Sequence, residues 1–321
     1  MSGRIRIETS IDRALGALYG LAIGDALGMP TQELDRASAE RILGSPPGFR
    51  DGPVENPIAQ GLPAGSITDD TMQCVLIANL LIANGGRTDP HQLADALLAW
   101  ERDMAERGRM DLLGPSTKRA LAALKSGHDP SVTGRAGTTN GAAMRITPVG
   151  ISHAGEPIER LIEAVVAADR VTHDTDIAHA GAAAVAAVVS AGVEGYTFEE
   201  AAQRAIQAAS RFGFGGVIVE ALTFSSVDTL VTRFGTGVET AESVPTAFGL
   251  ARLGHGSAWE ACGQAAALGG DTDTIAALVG AMLGACSGLS MLPPGAVRKV
   301  REVNDLDFGP LARGLLALRN R

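Results

Sequence analysis

Apolar residues in this chain recur at helical spacing and rarely alternate at the two-residue spacing of strands. Two runs are apolar almost throughout, residues 72–83 and 275–285, and each reads as a buried helix. An alanine-rich run follows Asp176 and reaches Gly192. Amphipathic spacing through Leu93, Leu97, Leu98 and Trp100 predicts a helix over 89–107. Further helices are predicted over 116–125, opened by a Ser or Thr cap, and over 201–209, 217–222 and 304–321, while residues 259–268 lead into the acidic stretch that follows. Another begins near Glu242, with Pro245 in its first turn. The chain opens on a helix over 11–28 that carries Gly16, Gly20, Gly24 and Gly28, one glycine every fourth residue and therefore one glycine face. Tight helix packing is the reading of that face. Asp25 interrupts the apolar surface of the same helix and, if buried, needs a partner. Pro30 ends or kinks it. The pattern is all-α, and no break in composition divides residues 1–321 into two domains.

What precedes the two apolar runs is polar in a repeated way. Thr68, Asp69, Asp70 and Thr71 stand before the first, and Gly269, Gly270, Asp271, Thr272, Asp273 and Thr274 before the second. Asp271 and Asp273 are two residues apart, about 200° of helical rotation, so they belong to a loop and first turn rather than to one helix face. Free N–H groups at a helix start favour anionic side chains. Asp and Thr are also good N-caps, so capping and metal binding both fit either stretch alone. Hard oxygen donors at this density suit Mg²⁺, Mn²⁺ or Ca²⁺. If the two helix mouths meet, their four carboxylates call for cations, because like charges in a small volume raise each other's pKa. Two divalent ions would neutralise them and activate water.

Composition narrows the classes. Aromatic residues are only 4% of the chain and glycines number 40, so the core must be built from small side chains at close approach. The net charge of −9 and the shortness of the basic runs argue against nucleic acid as a partner. Cys74, Cys262 and Cys286 lack metal spacing and, with no apolar leader at the start, give the expectation of a reducing, cytoplasmic setting. Residues 275–292 are long enough to raise a membrane span, but their Gly, Ala and Ser content and the acidic opening point to a core helix. A Pro- and Gly-rich loop over 43–65 leads into Thr68 and is read as a substrate cover. A Gly/Thr/Asn-rich turn over 134–145 could hold phosphate or ribose through backbone N–H groups, or be a plain loop. His173, near Asp174 and Asp176, reads as a capping or hydrogen-bonding residue ahead of a metal ligand.

Five stretches in order resemble the ADP-ribosylglycohydrolase family, which includes the dinitrogenase reductase-activating glycohydrolases. They are residues 24–28, 68–71, 140–145, Thr172 with His173, and 269–274. The resemblance implies an all-α orthogonal helical bundle with a central two-metal cleft holding Mg²⁺ or Mn²⁺. It implies Thr68, Asp69, Asp70, Asp271, Asp273 and Thr274 as metal ligands. It places Asn140, Gly141, Ala142, Met144 and His173, with Gly269 and Gly270, along an ADP-ribose pocket. The family cleaves the bond from ribose C1 to an acceptor, often a protein side chain. Asp69 or Asp70 would accept the proton of the attacking water. The chain departs from the family at one point: the usual glutamate seven residues after Asp25 is Gln32 here, with Glu33 next. Gln cannot serve as a carboxylate base, and on a helix Glu33 would point about 100° away from it, whereas an irregular chain after Pro30 would let Glu33 substitute, so Gln32 and Glu33 both stand as catalytic candidates.

Three readings follow. The first is metal-dependent release of ADP-ribose from a modified protein. The second is hydrolysis of a smaller N- or O-riboside, which Gln32 and the scarcity of rings to stack an adenine would suit. The third is a binder of ADP-ribose without turnover.

Overall fold

The computed structural model describes residues 2–108 and 113–319, with the backbone alone for 2–8. Its first helix, Ser2–Gly28, lies against the helix Thr272–Ser287 along the glycine face. A Cβ on Gly16, Gly20, Gly24 or Gly28 would come within 2.0–2.3 Å of the carbonyl oxygen of Gly284, Gly280, Ala276 or Thr272 respectively. The partners descend by four as the glycines ascend by four, so the two helices are antiparallel. Gly280 and Gly284 return the contact, each with its missing Cβ 2.0 Å from a carbonyl oxygen of the first helix. Backbone therefore touches backbone, and Cα–H groups meet carbonyls. The pairing sets the start of the second helix beside the end of the first.

A third apolar helix, Asp176–Glu194, packs on this pair where Gly192 meets Ala285. It is long and apolar enough to cross a membrane, but 89% of its apolar window is buried inside the protein. The run read from 275 ends as a helix at Ser287 and is buried nearly throughout. Alanines supply much of the core, which suits the low aromatic content. Among the described residues there is no β-strand; one antiparallel bridge joins Thr139 to Glu239. The architecture is all-α, as the periodicity predicts.

Several element limits differ from expectation. The helix over 115–125 starts on Pro115 after Gly114, so Ser116 and Thr117 lie inside it rather than capping it. The cap of Asp176–Glu194 is Thr175, whose hydroxyl accepts from the Ala178 N–H. Pro245 falls in the second turn because its helix begins at Thr240, where the Thr138 carbonyl takes the Thr240 N–H. The terminal helix expected from 304 begins at Gly309 and is described to Arg319, and an unpredicted helix, Pro294–Asn304, precedes it. Asp305 separates them in a left-handed conformation, φ 51°.

Candidate active site

The helix Asp69–Ala83 begins with Thr68 as N-cap, its hydroxyl accepting from the Asp70 N–H. Its mouth is held from outside by Asp25. That carboxylate, fully buried on the first helix, accepts the Thr68 N–H at 3.0 Å, the Thr71 N–H at 3.2 Å and the Thr71 hydroxyl. Burial pushes Asp25 up to about 6, against these hydrogen bonds. The partner that Asp25 needed is thus a helix N-terminus with its orphan donors.

The second mouth is threaded rather than capped. Gly269 and Gly270 are left-handed, φ 75° and 77°, and a Cβ on either would strike backbone at 2.4–2.5 Å. The Gly270 N–H donates to Leu34 O, its carbonyl accepts from the Glu33 N–H, and the Asp271 N–H donates to Thr236 O. This seam fixes residues 32–34 beside Asp271. Gln32 is extended and Glu33 left-handed at φ 63°, so neither follows helical rotation. Both face the same cavity: Gln32 in the wall with 7% exposure, Glu33 at the exposed rim.

That cavity, about 230 Å³, brings the two mouths together, with Asp69 and Asp70 from one and Asp271, Asp273 and Thr274 from the other. Asn140, Gly141 and Met144 complete a third side. The Asn140 amide donates to Asp271 and to the Ser243 hydroxyl. One Asp70 oxygen accepts from both Thr68 and Thr274 hydroxyls at 3.3 Å, while its other oxygen is buried with no partner. Burial, then neighbouring carboxylates, hold Asp69, Asp70 and Asp273 well above the usual carboxylate range. Burial raises Asp271 as well, opposed by the Asn140 hydrogen bond. A larger cavity of about 750 Å³ lies by the C-terminal helices between Leu292, Val297, Arg301 and Leu306. It lacks such convergence of buried acids, and chemistry rather than size selects the smaller one.

Other expected residues stand behind the wall. Thr68, Ala142, Gly269 and Gly270 do not line the cavity. His173 is fully buried and also outside it, its Nε2 3.0 Å from Thr139 Oγ1 and its Nδ1 2.7 Å from Thr172 Oγ1. Burial, and then Arg145, push its pKa well below the ordinary imidazole value, so the ring is neutral. The structure thus places His173 as a hydrogen-bonding residue behind the cavity wall. Sequence reasoning missed Thr139, Thr117 and Lys118, which do line it. Thr139 lies inside the 134–145 turn read as a possible phosphate or ribose site without being singled out, and nothing local marks Thr117 or Lys118. The loop over 43–65 contributes Ile58.

Among the described residues no three His, Cys, Asp or Glu side chains stand as a closed metal cage. The donors nevertheless fit hard divalent cations. They are all oxygen, four are carboxylates on one cavity, and one Asp70 oxygen lacks a partner.

The ADP-ribosylglycohydrolase family model matches residues 6–321. The chain belongs to the ADP-ribosylglycohydrolase family. It is therefore an enzyme of the class that hydrolyses ADP-ribosyl linkages. Within the family it is 33% identical to the uncharacterized protein YegU of Escherichia coli (strain K12), over 97% of this chain and 98% of that one. It is 30% identical to an ADP-ribosylarginine hydrolase of Pseudomonas putida (strain GB-1), over 91% and 75% of the two chains. It is 26% identical to the ADP-ribosyl-[dinitrogen reductase] glycohydrolase of Rhodospirillum rubrum, over 96% of each. A solved ADP-ribosylglycohydrolase-related protein complex superposes with a TM-score of 0.71 at 26% identity, over 97% of this chain and 99% of that one.

Proposed function

We propose that the protein hydrolyses the bond between ribose C1 and a protein side chain, releasing ADP-ribose, with two divalent cations, Mg²⁺ or Mn²⁺, as cofactors. The observation that carries this reading is the meeting of two helix mouths, about 200 residues apart in the chain, whose four aspartates face one cavity. Asp69, Asp70, Asp271, Asp273 and Thr274 would hold the ions from the cavity wall, and Thr68, whose hydroxyl lies on Asp70 behind that wall, would join them only by turning inward. Bound there, divalent cations neutralise the carboxylates, polarise sugar hydroxyls and acidify water.

The chain's own groups do the rest. Cleavage at C1 passes through an oxocarbenium-like state that needs negative charge nearby and an oriented water. Asp69 or Asp70 accepts that water's proton. Asn140 holds Asp271 in place from the opposite wall. Glu33 supplies the rim carboxylate at the position where Gln32 offers only an amide, and the left-handed backbone lets it face the cavity.

The test is release of ADP-ribose from arginine- and serine-modified proteins with Mg²⁺, with Mn²⁺ and with chelator. Metal-dependent release that falls at least about 100-fold in Asp271→Ala supports the reading. Bound ADP-ribose with no product under either metal would overturn it and leave a binder.

Two observations favour a smaller riboside as a second reading. The cavity's 230 Å³ falls below the roughly 300–1,000 Å³ typical of pockets for drug-sized ligands. Among the described residues no aromatic side chain lines it, with Tyr19 packed on Phe308 in the core and Tyr196 on the surface. A panel of free ribosides run beside the modified proteins separates the two by relative kcat/KM.

A further inference from the structure

Arg145 is among the largest fully buried side chains, and it is a cation. It follows the cavity-lining turn 140–144 and points away from the cavity into two hydrogen-bonded chains. In one, Nη1 donates to Gln73 Oε1 at 3.0 Å, and Gln73 Nε2 donates to Asp69 Oδ2 at 3.0 Å. In the other, Nη2 donates to Thr172 Oγ1 at 2.6 Å, which meets His173 Nδ1 at 2.7 Å, and His173 Nε2 meets Thr139 Oγ1 at 3.0 Å. Gln73, Thr172 and His173 are all buried. Asp169, buried close by, supplies opposing charge.

A guanidinium only donates, and this fixes the first bond of each chain. Gln73 must turn its oxygen to Arg145, so its amide N–H faces Asp69. Thr172 accepts from Arg145, and His173 Nδ1 at 2.7 Å is the acceptor placed for its own proton, so we assign that proton to Nδ1. The imidazole is then the Nε2–H tautomer, and that N–H donates to Thr139. Thr139, already accepting on one side, is left with its hydroxyl proton free to donate to a ligand in the cavity. Both chains end on the cavity wall, at Asp69 and at Thr139.

We propose that Arg145 is a positioning residue that sets hydrogen-bond polarity at two points of the active site, holding Asp69 as an acceptor through Gln73 and Thr139 as a donor through Thr172 and His173. The link to turnover rests on the function proposed above; the polarity does not. Losing such an outer partner reduces activity about 10–100-fold where the inner group does chemistry.

Two experiments separate these parts. The first records imidazole ¹⁵N spectra of the full chain, with His173 assigned by loss of its signals in His173→Gln. The expected result is a bare Nδ1 and a protonated Nε2 in the wild type, and transfer of the proton toward Nδ1 in Thr172→Val. An Nδ1–H tautomer in the wild type would overturn the proposal whatever the substrate proves to be. The second measures kcat and KM in Gln73→Glu, which keeps an acceptor for Arg145 but removes the donor to Asp69. A kcat reduced about 10–100-fold with KM within about twofold and a melting temperature near wild type is expected. Wild-type kcat in a folded Gln73→Glu protein would overturn the assignment to Asp69, and a fall in Tm that accounts for all lost activity would reduce Gln73 to a structural role.

Discussion

Asp25 shows most directly how one side chain organises this site. Its carboxylate accepts two backbone N–H groups and one hydroxyl at the start of the Asp69–Ala83 helix. An asparagine there keeps one acceptor oxygen and turns an NH₂ toward donors. Leaving buried donors unpaired costs about 1–3 kcal/mol, so Asp25→Asn should lower the free energy of unfolding by about that much in denaturant titration. Stability equal to wild type would mean that the helix mouth is held by Thr68 alone. The need for a partner was legible in the sequence, because a carboxylate interrupts an apolar helix. The partner was not, since it lies 43 residues on and nothing local points to it. Gln32 and Glu33 are a similar case. Counting from Asp25 found the substitution, but only the backbone dihedrals reveal that both residues reach the cavity. His173 was readable as a hydrogen-bonding residue from its own neighbourhood, whereas family likeness placed it along the ligand.

Among the elements, the antiparallel pair Ser2–Gly28 and Thr272–Ser287 sets the distance between the two acid-bearing mouths. Adding one methyl group tests this. In Gly24→Ala the new Cβ would stand 2.0 Å from the Ala276 carbonyl oxygen, and backbone on both sides leaves nothing flexible to yield. The expected result is a loss of about 3 kcal/mol or more, comparable with severe overpacking, or failure to fold. Gly216→Ala is the control, for there a Cβ meets nothing within 4 Å and helix propensity predicts a gain of up to about 1 kcal/mol. Equal effects of the two substitutions in thermal unfolding would remove the close-packing account. Four glycines at four-residue spacing made the tight face legible. The partner was not, although Gly280 and Gly284 hold the same spacing within the second apolar run, because nothing local pairs the two faces. The start of the terminal helix at Gly309 was not legible, because the left-handed Asp305 that ends the preceding helix leaves no mark in the hydrophobic pattern.

Across the whole molecule, Asp69 and Asp70 share one cavity with Asp271, Asp273 and Thr274, so any ligand held by both mouths is tied to the folding of nearly the entire chain. If residues 1–321 form a single unit, as composition suggests, denaturant unfolding should be one transition by every probe. A divalent ion bound only to the folded state adds RT ln(1 + [L]/Kd), about 2.7 kcal/mol at a concentration of 100 Kd. Mg²⁺ or Mn²⁺ should therefore move that one transition as a whole, and chelator should return it. Asp271→Ala should abolish the shift, because it removes a donor from one mouth while leaving the other intact. Two transitions, of which metal moves one, would show that the mouths belong to separately stable units. A shift that survives Asp271→Ala would mean that one mouth suffices to hold the ion. Only a single transition whose metal response depends on Asp271 is consistent with both mouths sharing the load. The acids at 69–70 and at 271–273 would then act as one site because the first helix packs on Thr272–Ser287 by its glycine face and holds the Asp69–Ala83 mouth through Asp25.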